Sequence, residues 1–325
     1  MKNVKFFCIF LQIFLLFGIL GVTCNAGEEG YIKWVDFNVT AEALSDTSKL
    51  DIRTKNSKRH IDWISSLSYL GQKYGGDFSK YNRKDLAELE ELTKDKEIIE
   101  LCKNEKLYKY YLKAYGAILS GMLGEYRTEN ENGIQSEEKK YGIKAFSPIA
   151  SGFSYTHYDD FGASRSYGYK RHHQGHDIMG SVGTPIIAVE SGFVESLGWN
   201  QYGGWRVGIR SFDGQRYYYY AHLRKGHPYN QLYEGKYVCA GEVIGYLGMT
   251  GYSAKEDVNN INIPHLHFGL QVIFDKSQKD GVNQIWIDGY ELTKFLSSYT
   301  APVKKSADGK EYVSKIRVID RDFPD

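Results

Sequence analysis

The sequence predicts an α+β protein, an N-terminal all-helical domain followed by an antiparallel β-sheet domain. Two observations predict it. Between Ile61 and Tyr126 apolar residues recur at helical spacing. After Phe146-Ser147-Pro148 the apolar runs become short, β-branched or aromatic, and are separated by glycine turns. The mature chain is long enough for two domains.

In order along the chain, Lys2 and Lys5 precede the apolar run Phe6 to Leu20, the pattern of a secretory signal. Thr23-Cys24-Asn25-Ala26 offers small residues for cleavage after Ala26, so 1–26 reads as a signal peptide. Left uncleaved, the segment could instead anchor the chain to a membrane, and Cys24 invites a lipoprotein alternative. Residues 27–126 read as a helical domain. One stripe is Ile61, Ile64, Leu67 and Leu70, a second Leu86, Leu89 and Leu92, and a third Leu107, Tyr111, Tyr115, Ile118 and Leu119. Gly75-Gly-Asp-Phe-Ser and Asn82-Arg-Lys-Asp supply turn and capping residues between them. Residues 127–144 are polar and read as a linker. Residues 145–300 carry the strand runs Ile186–Val189, Trp205–Ile209 and Tyr217–Tyr220, and 301–325 read as a polar tail.

The formal net charge is +1 with no basic tail, which implies no nucleic-acid partner and no strongly anionic polymer. Cleavage of the signal would leave Cys102 and Cys239, more simply two unpaired buried thiols than a bridge between domains.

Seven of the nine histidines fall between residues 172 and 267. They stand in H-Q-G-H-D (His173 to Asp177), in Y-Y-A-H-L around His222, and in P-H-L-H-F around His265 and His267. A catalytic zinc needs three N or O ligands, an open position for water, and groups that move protons. His173, Asp177 and His267 can supply the ligands, and His222 and His265 the proton transfer. On a strand, His265 and His267 fall on one face, the geometry for a ligand beside a proton-transfer group. Each piece alone has an ordinary explanation: a solvated H-x-H strand, a polar loop ion pair, a packed strand histidine. Their conjunction in three ordered segments argues for one site. His172 and His176 read as groove-lining or solvated, His227 as surface, and His157 and His60 carry no argument.

With these motifs, residues 145 to 275 resemble the catalytic domain of LytM/lysostaphin-type zinc endopeptidases, which cut peptide bonds in bacterial peptidoglycan. Gly183-Thr184-Pro185 with Ala188 and Ser191-Gly192 is similar to that family's G-T-P hairpin. Gly241 to Gly245 with Gly248, Thr250 and Gly251 is similar to its G-x-x-I-G-x-x-G-x-T-G segment. The resemblance implies a secreted or cell-surface enzyme with a Zn2+ cofactor, peptidoglycan as partner, His173, Asp177 and His267 as metal ligands, and His222 and His265 as the catalytic pair. A degenerate homologue that only binds peptidoglycan is the alternative, and its mark would be a broken ligand set. Two departures stand out. Gly269 replaces the acidic residue that usually follows H-L-H-F, so a carboxylate orienting a ligand must come from elsewhere. Residues Ala254 to Pro264 lengthen the connection into the H-x-H strand, a polar insertion expected at the groove's rim.

Overall fold

The computed structural model of the protein describes residues 31–320, so the signal segment, Cys8, Cys24 and residues 321–325 lie outside the described residues. Four helices come first: α1 (Ala41–Thr54), α2 (Trp63–Tyr74), α3 (Arg83–Leu92) and α4 (Glu105–Leu119). Their starts are written in capping side chains. Asp62 accepts from Ser65 N at 2.7 Å, and Asn104 from Leu107 N at 2.9 Å. Gly75 closes α2 in the left-handed region, φ 65°, a conformation glycine adopts without cost.

Antiparallel strands dominate the remainder, with one further short helix, α5 (Tyr290–Leu296). The largest sheet runs in the order Tyr237–Val238, Gly192–Asn200, Gly204–Ser211, Arg216–Ala221, His265–Val272, His176–Gly180, Tyr155–Tyr158. Ile285–Ile287 also pairs with the His265–Val272 strand. The Gly-Thr-Pro and Gly-Glu-Val-Ile-Gly segments pair with each other: Pro185–Ile187 against Val243–Tyr246. One face of the large sheet is apolar: Leu266, Phe268 and Leu270 point into the core, as do Tyr218 and Tyr220 beside them. The opposite face carries His265, His267 and the tyrosines of the alternate register, as a period of two requires.

The domain boundaries expected from sequence are not those of the structure. From Tyr31 onward the chain forms one compact unit. Buried residues of the helices (Leu44, Leu67, Tyr115) and of the sheet (Val207, Tyr218, Phe268) belong to one continuous hydrophobic cluster. The stretch 127–144 is no linker. Leu123–Asn130 pairs with Lys140–Ile143 on one side and with Ile316–Asp320 on the other. The tail is strand as well: Val303–Lys305 pairs with Tyr312–Ser314. These strands read as linker and tail in the sequence because most of their residues are polar, and cross-strand ion pairs help to hold them beside the few buried apolar residues, Ile143 and Val318. Arg317 pairs with Glu129, and Lys144 with Asp320 at 2.8 Å. Among the described residues Cys102 and Cys239 are free thiols. No described helix is long and apolar enough to cross a membrane.

Candidate metal centre and groove

The site is built where three strands meet. In the large sheet His267 pairs with Asp177 on one side and with Ala221 on the other, and the chain runs from Ala221 directly into His222. The expected residues therefore converge. His173 Nε2, Asp177 Oδ1 and His267 Nδ1 lie 2.7–3.4 Å from one another. Donors about 2.0–2.1 Å from a tetrahedral zinc stand about 3.3 Å apart, so the trio has the right size. Asp177 Oδ1 is buried and has no hydrogen-bond partner, whereas Asp177 Oδ2 accepts from Arg165 Nη2 at 3.4 Å. A buried anionic oxygen left unpaired is costly, and a cation between the three donors would satisfy it. The residues present fit a zinc ion.

Glycine at position 175 is forced by the same geometry. A Cβ there would lie 2.8 Å from His267 Cε1 and 2.5 Å from the Phe268 carbonyl oxygen. The spacing His-x-Gly-x-Asp thus lets the loop wrap against the H-x-H strand.

Burial disfavours a charged His173, but hydrogen bonds and charge from Asp160 and Asp177 overcome it and raise the metal-free imidazole to about 9. Burial would raise Asp177, yet its contacts with His173 and His267 hold it far below the usual carboxylate range. Burial also lowers His267, partly opposed by Asp177.

His222 and His265 stand beside the trio, with ring centroids 4.8 Å apart. Each faces a backbone carbonyl through Nδ1: His222 with Thr250 O at 2.9 Å, His265 with Ile263 O at 2.8 Å. A carbonyl only accepts, so Nδ1 carries the proton in both rings and Nε2 is left as the basic nitrogen. His265 Nε2 lies 3.7 Å from Asp177 Oδ1. His222 is held at φ 61°, a strained value for a residue with a side chain. Its burial, with His265 and His267 as neighbours, keeps it neutral well below the ordinary histidine range.

Sequence reasoning missed Asp160. Its Oδ2 sits 3.2 Å from His173 Nδ1, its Oδ1 accepts from Asp177 N at 3.1 Å, and it pairs with Arg165. One carboxylate thus orients a histidine and fixes the backbone of an aspartate in the same trio. The signal was Gly269. A Cβ at 269 would meet the Trp286 ring at 2.8 Å, so tryptophan occupies the space where an acidic side chain would stand. The orienting carboxylate comes from the Tyr158-Asp159-Asp160 turn instead. His176, expected in the groove or in solvent, is fully buried on the core face, with Nε2 2.8 Å from Thr293 Oγ1. It is adjacent in sequence to Asp177, so the strand period turns it the other way. His172 does line the groove, and His227 is a surface residue beside Glu311.

The groove holds about 940 Å³ and runs along the polar face of the sheet past Tyr219 and Trp286. Asn260, Ile261 and Asn262 from the insertion form part of its wall. Asp257, in the same insertion, accepts from Trp205 Nε1 and Gly226 N, both at 2.8 Å, which fastens the loop to the sheet.

A groove floored by two histidines and an aspartate with converging donor atoms, flanked by two further histidines, defines a metallopeptidase-type centre. Residues 171–283 match peptidase family M23, and this stretch is a domain of that family, in its LytM/lysostaphin group. It is 36% identical over 180 residues to the L-Ala–D-Glu endopeptidase of Bacillus subtilis (strain 168), covering 50% of this chain and 52% of that protein. It is 41% identical over 101 residues to lysostaphin of Staphylococcus staphylolyticus, covering 31% of this chain and 18% of lysostaphin. The chain thus spans about half the length of the first relative and less of the second. A solved structure described as a glycyl-glycine endopeptidase lytM from Ruminococcus gnavus shares the fold. That match has a TM-score of 0.55 and 18% identity, over 82% of this chain and 91% of that one.

Proposed function

We propose that this chain is a zinc-dependent endopeptidase that hydrolyses peptide bonds of bacterial cell-wall peptidoglycan, in the stem peptide or cross-bridge. The observation that supports it most is the convergence of His173 Nε2, Asp177 Oδ1 and His267 Nδ1, with that buried carboxylate oxygen left without a hydrogen bond. Those three residues would hold the zinc. When bound, the ion polarises the scissile carbonyl and lowers the pKa of a water to about 7.

The protein's own groups do the rest. Asp160 keeps the Nδ1 proton of His173 on the far side of the ring, so Nε2 stays free for the metal. Arg165 occupies Asp177 Oδ2 and so leaves Oδ1 as the ligand oxygen. His265 and His222, each with Nδ1–H donated to a carbonyl, present Nε2 to take a proton from the attacking water and return one to the leaving amine. Burial keeps the His222 ring neutral, so its Nε2 carries no proton of its own. The pair divides these two roles, and both are needed. The wall of the groove keeps an extended peptide against the sheet. Export follows from the basic and apolar first residues, which makes the enzyme secreted or bound at the cell surface.

The exported chain should carry about one zinc per molecule and release new amino groups from purified cell walls. A chain that takes up no zinc would overturn the metal assignment. A zinc-loaded chain that releases no amino groups would overturn the peptidase reading.

A further inference from the structure

The groove holds a cation that the chemistry above does not use. Arg206 lies in the Gly204–Ser211 strand and lines the same cavity as His265 and His267. Val207 pairs with Tyr220, so Arg206 falls one step further along, opposite Ala221, and Ala221 pairs with His267. Directly opposed residues of antiparallel strands share a face. Arg206 therefore stands in the row of His267, two strand spacings or about 10 Å away, with only the small Ala221 between them.

Two cations beside it are neutralised and it is not. Arg210, two residues on, is bound by both oxygens of Glu195 at 2.9 Å, and Lys279 reaches the same carboxylate at 3.2 Å. Arg206 has one side-chain partner, Ser196 Oγ at 2.7 Å, and no carboxylate among the described residues pairs with it. Ser196 is itself held by the Tyr217 hydroxyl at 2.6 Å, and the Tyr229 hydroxyl donates to the Arg206 carbonyl at 3.0 Å. The residue is half-buried and fixed from behind, with Ser196 as the one side-chain acceptor for its guanidinium among the described residues. A planar fork of donors held this way matches a carboxylate.

We propose that Arg206 binds a carboxylate of the substrate, and that the substrate class is therefore an acidic peptide with its carboxylate within about three residues of the scissile bond. The proposal rests on the peptidase reading of the site. It separates this chain from enzymes acting on uncharged glycine runs, which offer an unpaired cation nothing.

The test uses soluble wall fragments with free carboxylates and the same fragments after carbodiimide amidation, each given to the zinc-loaded exported chain. The free-acid form should be cleaved with a kcat/KM roughly ten- to hundredfold higher, the difference residing in KM, as for a charge-assisted hydrogen bond. Arg206→Gln should bring the two forms to within about threefold of each other while bound zinc stays at its wild-type level. Arg206→Lys, which keeps charge and loses the fork, should fall between. Equilibrium binding of both fragment forms to zinc-loaded His265→Ala and to His265→Ala/Arg206→Gln gives a second measure that needs no turnover. Equal handling of the two forms by the wild-type chain, or an equal loss on both in Arg206→Gln, overturns the proposal. If wild type cleaves neither form, the peptidase reading fails, and the binding comparison alone decides what Arg206 recognises.

Discussion

Among the described residues, two of the clusters of buried charge make an instructive pair. Arg216, almost fully buried, donates through Nε and Nη2 to Glu190 at 2.7 and 2.9 Å and through Nη2 to Asp213 at 2.8 Å. Its Nη1 donates to the Ala117 carbonyl at 2.9 Å and to Ser120 Oγ at 3.0 Å, at the C-terminal end of α4. Tyr218 donates to Glu190 at 2.5 Å. All five guanidinium N–H groups are used, and the cation also faces the negative end of a helix. The trio of His173, Asp177 and His267 is set somewhat nearer the surface and leaves Asp177 Oδ1 without a hydrogen bond. A closed network fastens helices to sheet; an open one is a receptacle. Burial and charge are common to both, and an unpaired atom alone does not separate them, since Asp320 Oδ1 is also buried without a partner; what sets the trio apart is an unpaired carboxylate oxygen among converging imidazole nitrogens.

The largest effects are expected at the three candidate ligands. His173→Ala and His267→Ala should each reduce zinc from about one per chain to near none and abolish release of amino groups from walls, read by metal analysis and amine assay. Near-full zinc in both variants would show that the open trio is not the receptacle. Next come His222→Ala and His265→Ala, expected to cut activity by roughly 10²-fold or more with zinc retained. Loss of zinc in His265→Ala with retention in His267→Ala would reverse their roles. The closed cluster predicts the opposite pattern. Arg216→Ala strands Glu190 in the core and should cost about 3–5 kcal/mol. It should lower the thermal midpoint while the folded variant still binds zinc in the cold. If Arg216→Ala leaves the midpoint unchanged, α4 is not fastened there. The same logic expects removal of residues before 140 to yield insoluble protein, because Arg216 and the shared core would lose α4.

The trio of candidate ligands was legible in the sequence as two local pairs, and the structure shows those pairs converging. A strand period of two joins His265 to His267, and one short loop joins His173 to Asp177, so spacing alone predicted neighbours. The antiparallel sheet and the helices were legible for a related reason, since their burial stripes follow periodicity. What failed was the pairing of polar strands and the docking of helices over long separations. Leu123–Asn130 reads as polar linker until Ile316–Asp320, far down the chain, is seen to be its partner. The helices read as a separate domain because nothing local to Arg216 reveals that it caps α4. His176 misled for a simpler cause: neighbours in a histidine-rich motif need not share a face.

Asp160 tests the finest level of the comparison, whether a carboxylate that holds a ligand matters as much as the ligand. It is buried, and its two oxygens act on different partners: Oδ2 on His173 and Arg165, Oδ1 on the backbone N–H of Asp177. Asparagine is nearly isosteric and can still accept from Asp177 N, so Asp160→Asn should fold. It removes the charge that makes the His173 ring a better donor to metal and that fixes its tautomer. Zinc affinity should therefore fall about 10- to 100-fold, the usual scale for such a partner. Competition against a chromophoric chelator reads that affinity directly. Asp159→Asn is the control, since Asp159 is exposed one residue away and should change affinity little. If Asp160→Asn binds zinc as tightly as wild type, His173 is oriented by its loop alone, and the acidic residue displaced from position 269 has no counterpart here.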